Sequence, residues 1–203
     1  LLKVDEITLL ENCINLIQFL RIKKVIINTF YLKEKIENFI SIKKFNLEIK
    51  IINDGKNILN TGGGILNMMN SSSESDFLTL NPDTLWNKSY TETIKSMEKF
   101  YFSNQIQNIL LLVNKSLSFD KKLKGDFNLL ENKIKKDAKN NLIFTGCQII
   151  NKSLFESHTI NNFSISEIWN KLINKNELCG YESFRDFYHL TNLEVYQELL
   201  KNK

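Results

Sequence analysis

The sequence contains few of the residues that cross-link, interrupt or loosen a chain. It has one proline, Pro82, and seven glycines among 203 residues, so no Pro- or Gly-rich linker divides it. At this length we expect a single domain with a sizeable core. The three cysteines, Cys13, Cys147 and Cys179, lie far apart and form no C-x-x-C pair. Their spacing argues against a disulfide framework and a zinc site, and favours buried, reduced thiols.

Long apolar runs and a strong net charge are also missing. No apolar run approaches the ~18 residues of a membrane span, and no signal peptide is visible. The 27 basic and 23 acidic residues give a net charge of +4, which is too small to indicate a nucleic-acid partner. These absences favour a cytoplasmic globular protein that has neither a membrane nor nucleic acid as a partner.

Glycine is concentrated in one place, the stretch L-N-T-G-G-G-I at residues 59–65. Three of the seven glycines stand here, and consecutive glycines allow the backbone to approach a ligand closely. We expect residues 61–64 to form a loop that contacts a nucleotide, with a short helix over residues 65–70. A glycine-rich turn without a ligand is the alternative.

A strand that ends in a carboxylate follows the glycine stretch. Residues 77–86 read F-L-T-L-N-P-D-T-L-W, and the apolar run over residues 76–80 predicts a buried strand. In open α/β sheets ligands bind beyond the carboxyl ends of the strands, which is where Asp83 would lie. A site for a nucleotide and its metal ion needs both a glycine loop and such an acid. The alternative is that Asp83 only forms a turn with Pro82.

Hydrophobic spacing predicts alternating helices and strands in the first half of the chain. The predicted helices cover residues 7–20, 33–42, 91–103, 164–174 and 192–201. The predicted strands cover residues 25–30, 47–53, 76–80, 109–113, 125–130, 133–136, 142–150 and 184–189. The β-α-β-α-β rhythm before residue 115 argues for a parallel sheet covered by helices, and the later short strands for a meander.

Six segments taken in order carry a family resemblance. They read K-K-V-I-I-N-T-F-Y-L, L-N-T-G-G-G-I, F-L-T-L-N-P-D-T-L-W, K-G-D-F-N-L-L, L-I-F-T-G-C-Q-I-I-N-K-S-L-F and F-R-D-F-Y-H-L-T-N-L-E-V-Y. Together they span nearly all of the chain. The sequence resembles the sugar-1-phosphate nucleotidyltransferases, or nucleotidyl-sugar pyrophosphorylases. The branch that it resembles most is the N-acetylmuramate-1-phosphate uridylyltransferases, and uridine and N-acetylmuramate follow from this branch alone.

The resemblance implies a Rossmann-like, three-layer α/β fold with a mixed sheet of the nucleotide-diphospho-sugar transferase type. Residues 1–203 would form one domain, with a nucleotide-binding half over 1–115 and a sugar-binding half over 116–203. The implied enzyme transfers a nucleotidyl group from a nucleoside triphosphate, such as UTP, to a sugar 1-phosphate and releases pyrophosphate. Such a transfer needs alignment and neutralised charge, here from Mg²⁺, more than covalent help from the protein.

The resemblance also assigns roles to individual residues. Asp83 would be the catalytic residue and a ligand of Mg²⁺, because this ion prefers oxygen ligands. Asp126 and Gly146 would lie beside the sugar, although Asp126 alternatively forms a turn. The nucleotide-binding residues would be Thr61, Gly62, Gly63, Gly64 and Asn81.

Three departures from the family pattern argue against a direct transfer of the family's activity to this sequence. The opening loop G-x-G-T-R-x-x-P has no counterpart, because residues 1–4 align just after it, so the first strand of the sheet is expected to be missing. The usual N-G-D is N-P-D, with Pro82 in place of a flexible glycine. His189 stands where a second metal-binding Asp is expected, and imidazole suits Mn²⁺ better than Mg²⁺. The alternative function is therefore a non-catalytic relative that keeps the fold as a nucleotide- or sugar-binding module.

Overall fold

Helices cover both faces of a six-stranded sheet in the structure, a computed structural model that describes residues 1–202. None of the helices in these residues combines the length and the apolar character needed to cross a membrane. The elements in chain order are β1 (Lys3–Val4), β2 (Ile7–Thr8), α1 (Leu9–Phe19), β3 (Lys24–Thr29), α2 (Lys33–Lys43), β4 (Glu48–Asn53), α3 (Asn60–Asn70), β5 (Asp76–Leu80), α4 (Tyr90–Ser103), β6 (Asn108–Asn114), β7 (Asn128–Leu130), β8 (Lys133–Lys135), β9 (Leu142–Asn151), α5 (Ser166–Asn174), β10 (Cys179–Ser183) and α6 (Leu193–Lys201).

The large sheet is mixed, as the fold prediction requires. Its strand order is β5-β9-β6-β10-β8-β7, in which only β6 and β10 are parallel neighbours. Strands β3 and β4 form a separate parallel pair, and β1 and β2 form an antiparallel hairpin. The later strands do not form a simple meander, because the long strand β9 inserts between β5 and β6.

The alternation of side chains along β6 explains the three layers. Leu110 and Leu112 pack on the side of α3 and α5, whereas Ile109 and Leu111 pack on the side of α1 and α4. All four side chains are fully buried. Burying a leucine or isoleucine stabilises the fold by about 1.5–3 kcal/mol, so a strand that is apolar on both faces favours helices on both sides.

Most elements of the first half lie within one residue of their predicted bounds, because their hydrophobic period is local and strong. Helix α1 begins two residues later than predicted. Thr8 caps it by accepting a hydrogen bond from the backbone N–H of Glu11 at 3.1 Å, and Ile7–Thr8 pairs as a strand with Lys3–Val4.

The prediction of a last strand over residues 184–189 is wrong. The strand is β10, which inserts between β6 and β8 and whose sequence C-G-Y-E-S has little apolar alternation. Residues 184–189 instead run beside the sheet with single bridges, Ser118 to Phe187 and Thr84 to His189. Phe187 packs against Val113 and Ile143 of the sheet, whereas Phe184 is exposed, so the aromatic residues gave a strand-like pattern without pairing in the sheet.

Strands β5 and β3 each have one edge without a strand partner among the described residues. Alternate residues of an antiparallel strand direct their backbone groups toward the partner strand. Because the N–H of Asn81 bonds to the Gly146 carbonyl of β9, the backbone groups of Leu78 and Leu80 point away from β9. The bond from Glu48 N–H to the Lys23 carbonyl likewise turns the backbone groups of Ile26 away from β4. Both edges are thus open within residues 1–202.

The open edges predict a difference in hydrogen exchange within each strand. We expect the amides of Ile26 and Leu78 to exchange roughly tenfold faster or more than those of Ile27 and Thr79, whose N–H groups point into the β4 and β9 ladders. Residue-resolved exchange by NMR measures all four amides in one sample. Equal rates for the two members of each pair would contradict the open edges.

Candidate functional site

The turn after β5 places Asp83 beyond the carboxyl end of the strand, where the sequence predicts it. Asn81 donates its N–H to the Gly146 carbonyl at 2.9 Å, and its own carbonyl accepts from the indole Nε1 of Trp86 at 2.9 Å. The carbonyl of Asp83 accepts from the N–H of Leu190 at 2.9 Å. The backbone of the turn is therefore fixed at several points, while the Asp83 carboxylate is about half exposed and open to a ligand.

Gly146 allows β9 to pass close to this turn. Its φ is +87°, in the left-handed region that favours glycine, and a Cβ there would lie 2.7 Å from the Cβ of Asn81. A side chain at position 146 would thus push Asn81 away from the strand. Gly146 lies beside the expected catalytic residues, and its contact with a sugar stays a prediction.

His189 lies beside Asp83 although 106 positions separate them. Its Nδ1 is 3.6 Å from Oδ1 of Asp83 and 3.3 Å from Oγ1 of Thr84. The Thr84 hydroxyl donates to the carbonyl of Thr145 at 2.9 Å, so it can only accept from His189. This arrangement puts the proton of the neutral imidazole on Nδ1 and the lone pair on Nε2. The ring stacks on Phe187, with 5.7 Å between the ring centroids.

Asp126 lies at the margin of the same site. Its Oδ2 accepts from the N–H of Phe144 at 2.9 Å, and the charges of Lys136 and His189 act on its carboxyl. Desolvation raises the pKa of Asp126, and the hydrogen bond and the two charges only partly offset that rise. The N–H of Asp126 also bonds to Leu142, which anchors the residue in the turn before β7. Its role toward a sugar stays a prediction.

Two cysteines, Cys13 and Cys147, lie near the site as buried thiols. Cys13 is buried, and burial together with the negative charge of Asp83 raises the pKa of its thiol to about 12. Burial also raises the pKa of the Cys147 thiol. Within residues 1–202, no three His, Cys, Asp or Glu side chains group closely enough to hold a metal ion. The chain itself would therefore offer an ion Asp83 and, beside it, His189.

The glycines of residues 61–64 lie in a helix, so the predicted loop is wrong. They form the start of α3, which begins at Asn60 instead of residue 65. The N–H groups of Gly62 and Gly63 donate to the carbonyl of Phe163 at 2.9 and 3.3 Å. A Cβ at Gly63 would lie 2.0 Å from the carbonyl oxygen of Asn161. The glycines are needed here because the 161–165 segment crosses close above the helix.

The contacts of residues 61–64 lead away from Asp83 toward two other parts of the fold. Thr61 accepts from the N–H of Ile165 at 3.0 Å, and Gly64 lies against Asn28 and Asp54. Among the described residues, no hydrogen bond joins 61–64 to Asp83 or His189. The structure thus brings together Asn81, Asp83, Gly146 and His189, and a nucleotide contact by residues 61–64 stays a prediction.

Two polar residues of the site were missed by sequence reasoning. Thr84 follows Asp83 in the predicted motif, and its bonds to Thr145 and His189 join the two halves of the chain. Asn12 lies on α1 and pairs with the peptide groups of Trp86 on both sides. The sequence contains no signal for Asn12, since its partner is 74 positions away.

Comparisons with known proteins reveal the fold and no sequence family. No family model matches the chain, and no curated protein matches it. Among solved structures, UDP-glucose pyrophosphorylase complexed with UDP-glucose is 18% identical with a TM-score of 0.77, over 96% of this chain and 85% of that one. The inositol-1-phosphate CTP transferase from T. maritima is 16% identical with a TM-score of 0.73, over 98% and 84%. HddC from Yersinia pseudotuberculosis complexed with GMP-PN is 18% identical with a TM-score of 0.71, over 93% and 82%.

These likenesses confirm the predicted fold class, the mixed α/β fold of the nucleotide-diphospho-sugar transferases. The neighbours named above include sugar-1-phosphate nucleotidyltransferases, which agrees with the family resemblance. None of the three is an N-acetylmuramate-1-phosphate uridylyltransferase, so that finer assignment stays a prediction.

The packing of α3 predicts unequal effects of two neighbouring substitutions. We expect Gly63→Ala to lower the free energy of unfolding by about 2 kcal/mol or more, because its Cβ would meet the backbone of Asn161. Gly64→Ala is the matched control, since its Cβ would meet only the side-chain amide of Asn28 and alanine favours a helix by about 1 kcal/mol. Urea denaturation measures both, and equal stabilities would contradict this packing.

Proposed function

We propose that this protein transfers a nucleotidyl group from a nucleoside triphosphate to a sugar 1-phosphate, with release of pyrophosphate. One observation carries the proposal: the Asp83 carboxylate and the His189 imidazole lie 3.6 Å apart beyond the end of β5, beside Gly146. The position is the edge at which α/β sheets bind ligands. The fold supports the proposal, because solved structures that share it are named as enzymes of this reaction class.

The nucleotide we propose is UTP. The similar structures are named for UDP-glucose, CTP and GMP-PN, so the fold is compatible with uracil, cytosine and guanine nucleotides. The sequence resemblance favours uridine among them, with N-acetylmuramate 1-phosphate as the first sugar to test. Uridine, cytidine and guanosine triphosphates compared at one concentration would test this order of preference.

The residues present fit a divalent cation held mainly by Asp83. Mg²⁺ in nucleotide sites binds through one or two carboxylates and takes its remaining ligands from substrate phosphates and water. Asp83 is a half-exposed carboxylate with room for both. Ligand atoms at right angles around such an ion lie about 3 Å apart, so the 3.6 Å between Asp83 Oδ1 and His189 Nδ1 would leave room for a shared ion once Nδ1 has lost its proton. An imidazole ligand would favour Mn²⁺ over Mg²⁺.

The chain's own residues would orient the reactants. When bound, the cation supplies positive charge that offsets the charge of the phosphates. The bond that forms joins a phosphate oxygen of the sugar to the α-phosphorus, and the bond that breaks releases pyrophosphate. The Asn81 side chain, held over Gly146, would contact the nucleotide, and the backbone at Gly146 would lie against the sugar. Alignment of this kind, without a covalent intermediate, lowers the barrier by fixing the attack geometry.

A second candidate is supported by the glycines of α3. The N–H groups of Gly62 and Gly63, which would otherwise be available for a phosphate, are already bonded to the Phe163 carbonyl. His189 also replaces a second carboxylate. Both observations favour a non-catalytic module that keeps a nucleotide or sugar pocket without turnover.

Titration calorimetry with UTP, in the presence of Mg²⁺ or Mn²⁺, tests the proposal. We expect metal-dependent binding that Asp83→Asn weakens by roughly tenfold or more, a loss of about 1.4 kcal/mol, because the variant removes the charge that holds the cation. Glu98→Gln, which removes an exposed carboxylate on α4, is the matched control and should bind as the native protein does. A pyrophosphate-release assay with sugar 1-phosphates then separates the two candidates. Binding without release would favour the module, and no binding of UTP by the folded native protein would contradict the enzyme and leave a sugar-binding module as the candidate.

The identity of residue 189 predicts a change in metal preference. We expect His189→Asp to strengthen Mg²⁺ binding relative to Mn²⁺, because a second carboxylate would lie next to Asp83. His158→Asp is the matched control, since the other histidine of the chain contacts Phe163 and Lys171 instead. Competition between the two ions, followed by the electron paramagnetic resonance signal of Mn²⁺, measures the ratio of affinities. An unchanged ratio in His189→Asp would place the ion away from residue 189.

A further inference from the structure

The side chain of Asn12 binds a peptide of the active-site turn from outside the sheet. Its Oδ1 accepts from the N–H of Trp86 at 2.6 Å, and its Nδ2 donates to the carbonyl of Trp86 at 2.5 Å. These are the two bonds that a residue on a neighbouring antiparallel strand would make. Asn12 lies in the first half of α1, so this helix supplies the pairing that no strand supplies here.

Trp86 connects Asn12 to the turn that carries Asp83. Its side chain is 1% exposed and packs edge to face on Tyr90, with 5.1 Å between the ring centroids. Its Nε1 donates back to the carbonyl of Asn81 at 2.9 Å, which closes residues 81–86 into a ring of contacts around Asp83. A change in the position of the Trp86 peptide would therefore move both ends of the turn.

The opposite side of the turn is held by the segment that contains His189. Leu85 donates to the carbonyl of Tyr188 at 2.8 Å, and Leu190 donates to the carbonyl of Asp83 at 2.9 Å. Together with the bonds of Asn81 and Thr84 to β9, these bonds hold the turn to β9 and to the 188–190 segment. Asn12 fastens it from the other side, and the charge of Asp83 acts on Cys13, the next residue of α1. Helix α1 thus lies alongside the carboxylate.

We propose that Asn12 is a positioning residue, which holds the Trp86 peptide and so fixes Asp83 against His189. Its effect on ligand binding rests on the function proposed above, whereas its effect on the turn does not. Loss of the amide would leave a partly buried peptide N–H and carbonyl without partners, which favours movement of the turn. Asn12 does not touch a substrate in this proposal and acts only through Trp86.

The test compares Asn12→Ala with Asn15→Ala, an asparagine one turn along the same helix that lines the cavity beside Trp86 without making these bonds. Protein labelled with 5-fluorotryptophan reports Trp86 and Trp169 separately by fluorine NMR. We expect Asn12→Ala to shift or broaden the Trp86 signal and to leave the Trp169 signal in place. The amide of Leu85, whose bond to Tyr188 the substitution does not touch, should exchange roughly tenfold faster. A global loss of stability would instead affect both tryptophans.

The affinity for Mn²⁺, measured from the electron paramagnetic resonance signal of the free ion, tests whether the turn affects the proposed metal site. We expect Asn12→Ala to weaken it roughly tenfold, the scale on which supporting residues act on metal sites, with no change in Asn15→Ala. Asn12→Asp keeps the acceptor for the Trp86 N–H and replaces the donor, so it should shift the Trp86 fluorine signal less than Asn12→Ala does. This variant takes the place of Asn12→Ala if Asn12→Ala does not fold. Unchanged Trp86 and Leu85 signals would overturn the positioning role. Failure of the native protein to bind Mn²⁺ would overturn the proposed function, while the fluorine and exchange data would still decide the role of Asn12.

Discussion

Strand β9 is the constraint on which the rest of the site depends. It is hydrogen-bonded to β5 along one edge and to β6 along the other, so it joins the half of the chain that carries Asp83 to the sheet interior. Two successive residues of β9 also contact the turn that carries Asp83, since the Thr145 carbonyl accepts from Thr84 and the Gly146 carbonyl accepts from Asn81. The positive φ of Gly146 makes this double contact possible. Without that strand, Asp83 would follow an isolated edge strand and have no fixed relation to His189.

Helix α1 also links separate parts of the fold, because it contacts elements on both sides of the open strand edges. The β3–β4 pair has no strand partner in the large sheet among residues 1–202, and α2, which follows β3, buries no side chain. Glu11 on α1 forms an ion pair with Lys43 of α2 at 2.9 Å, and the next residue, Asn12, pairs with Trp86. Adjacent residues of one helix therefore contact both sides of the opening. Because a partly exposed ion pair stabilises by at most about 1 kcal/mol, the apolar cluster that joins α1 to Val25 and Leu47 must hold most of this arrangement.

Sequence reasoning succeeded where structure is encoded locally and failed where it depends on distant contacts. The spacing of apolar residues located β3, α2, β4, β5, α4 and β6 closely, since each period is visible within a few turns. The glycines of α3 were misread as a loop because a distant contact requires them. Asn161, about one hundred positions away, crosses close above the helix. The last strand was placed wrongly because β10, which lies between two other strands, has the sequence C-G-Y-E-S and therefore no apolar period. The placement of His189 near Asp83 followed from motif order, whereas Asn12 had no motif to reveal it.

The hydrogen bonds of Thr84 bear on how His189 would act beside a cation. Its hydroxyl proton points to the Thr145 carbonyl, which leaves the imidazole Nδ1–H as the donor in their contact. A protonated Nδ1 faces Asp83 and cannot bind a cation, so ligation through that nitrogen requires loss of the proton and of the bond to Thr84. Asp83 has no such requirement. The geometry therefore assigns the Nδ1–H of His189 to Thr84, and a cation held as proposed would take Asp83 and substrate oxygens as its ligands.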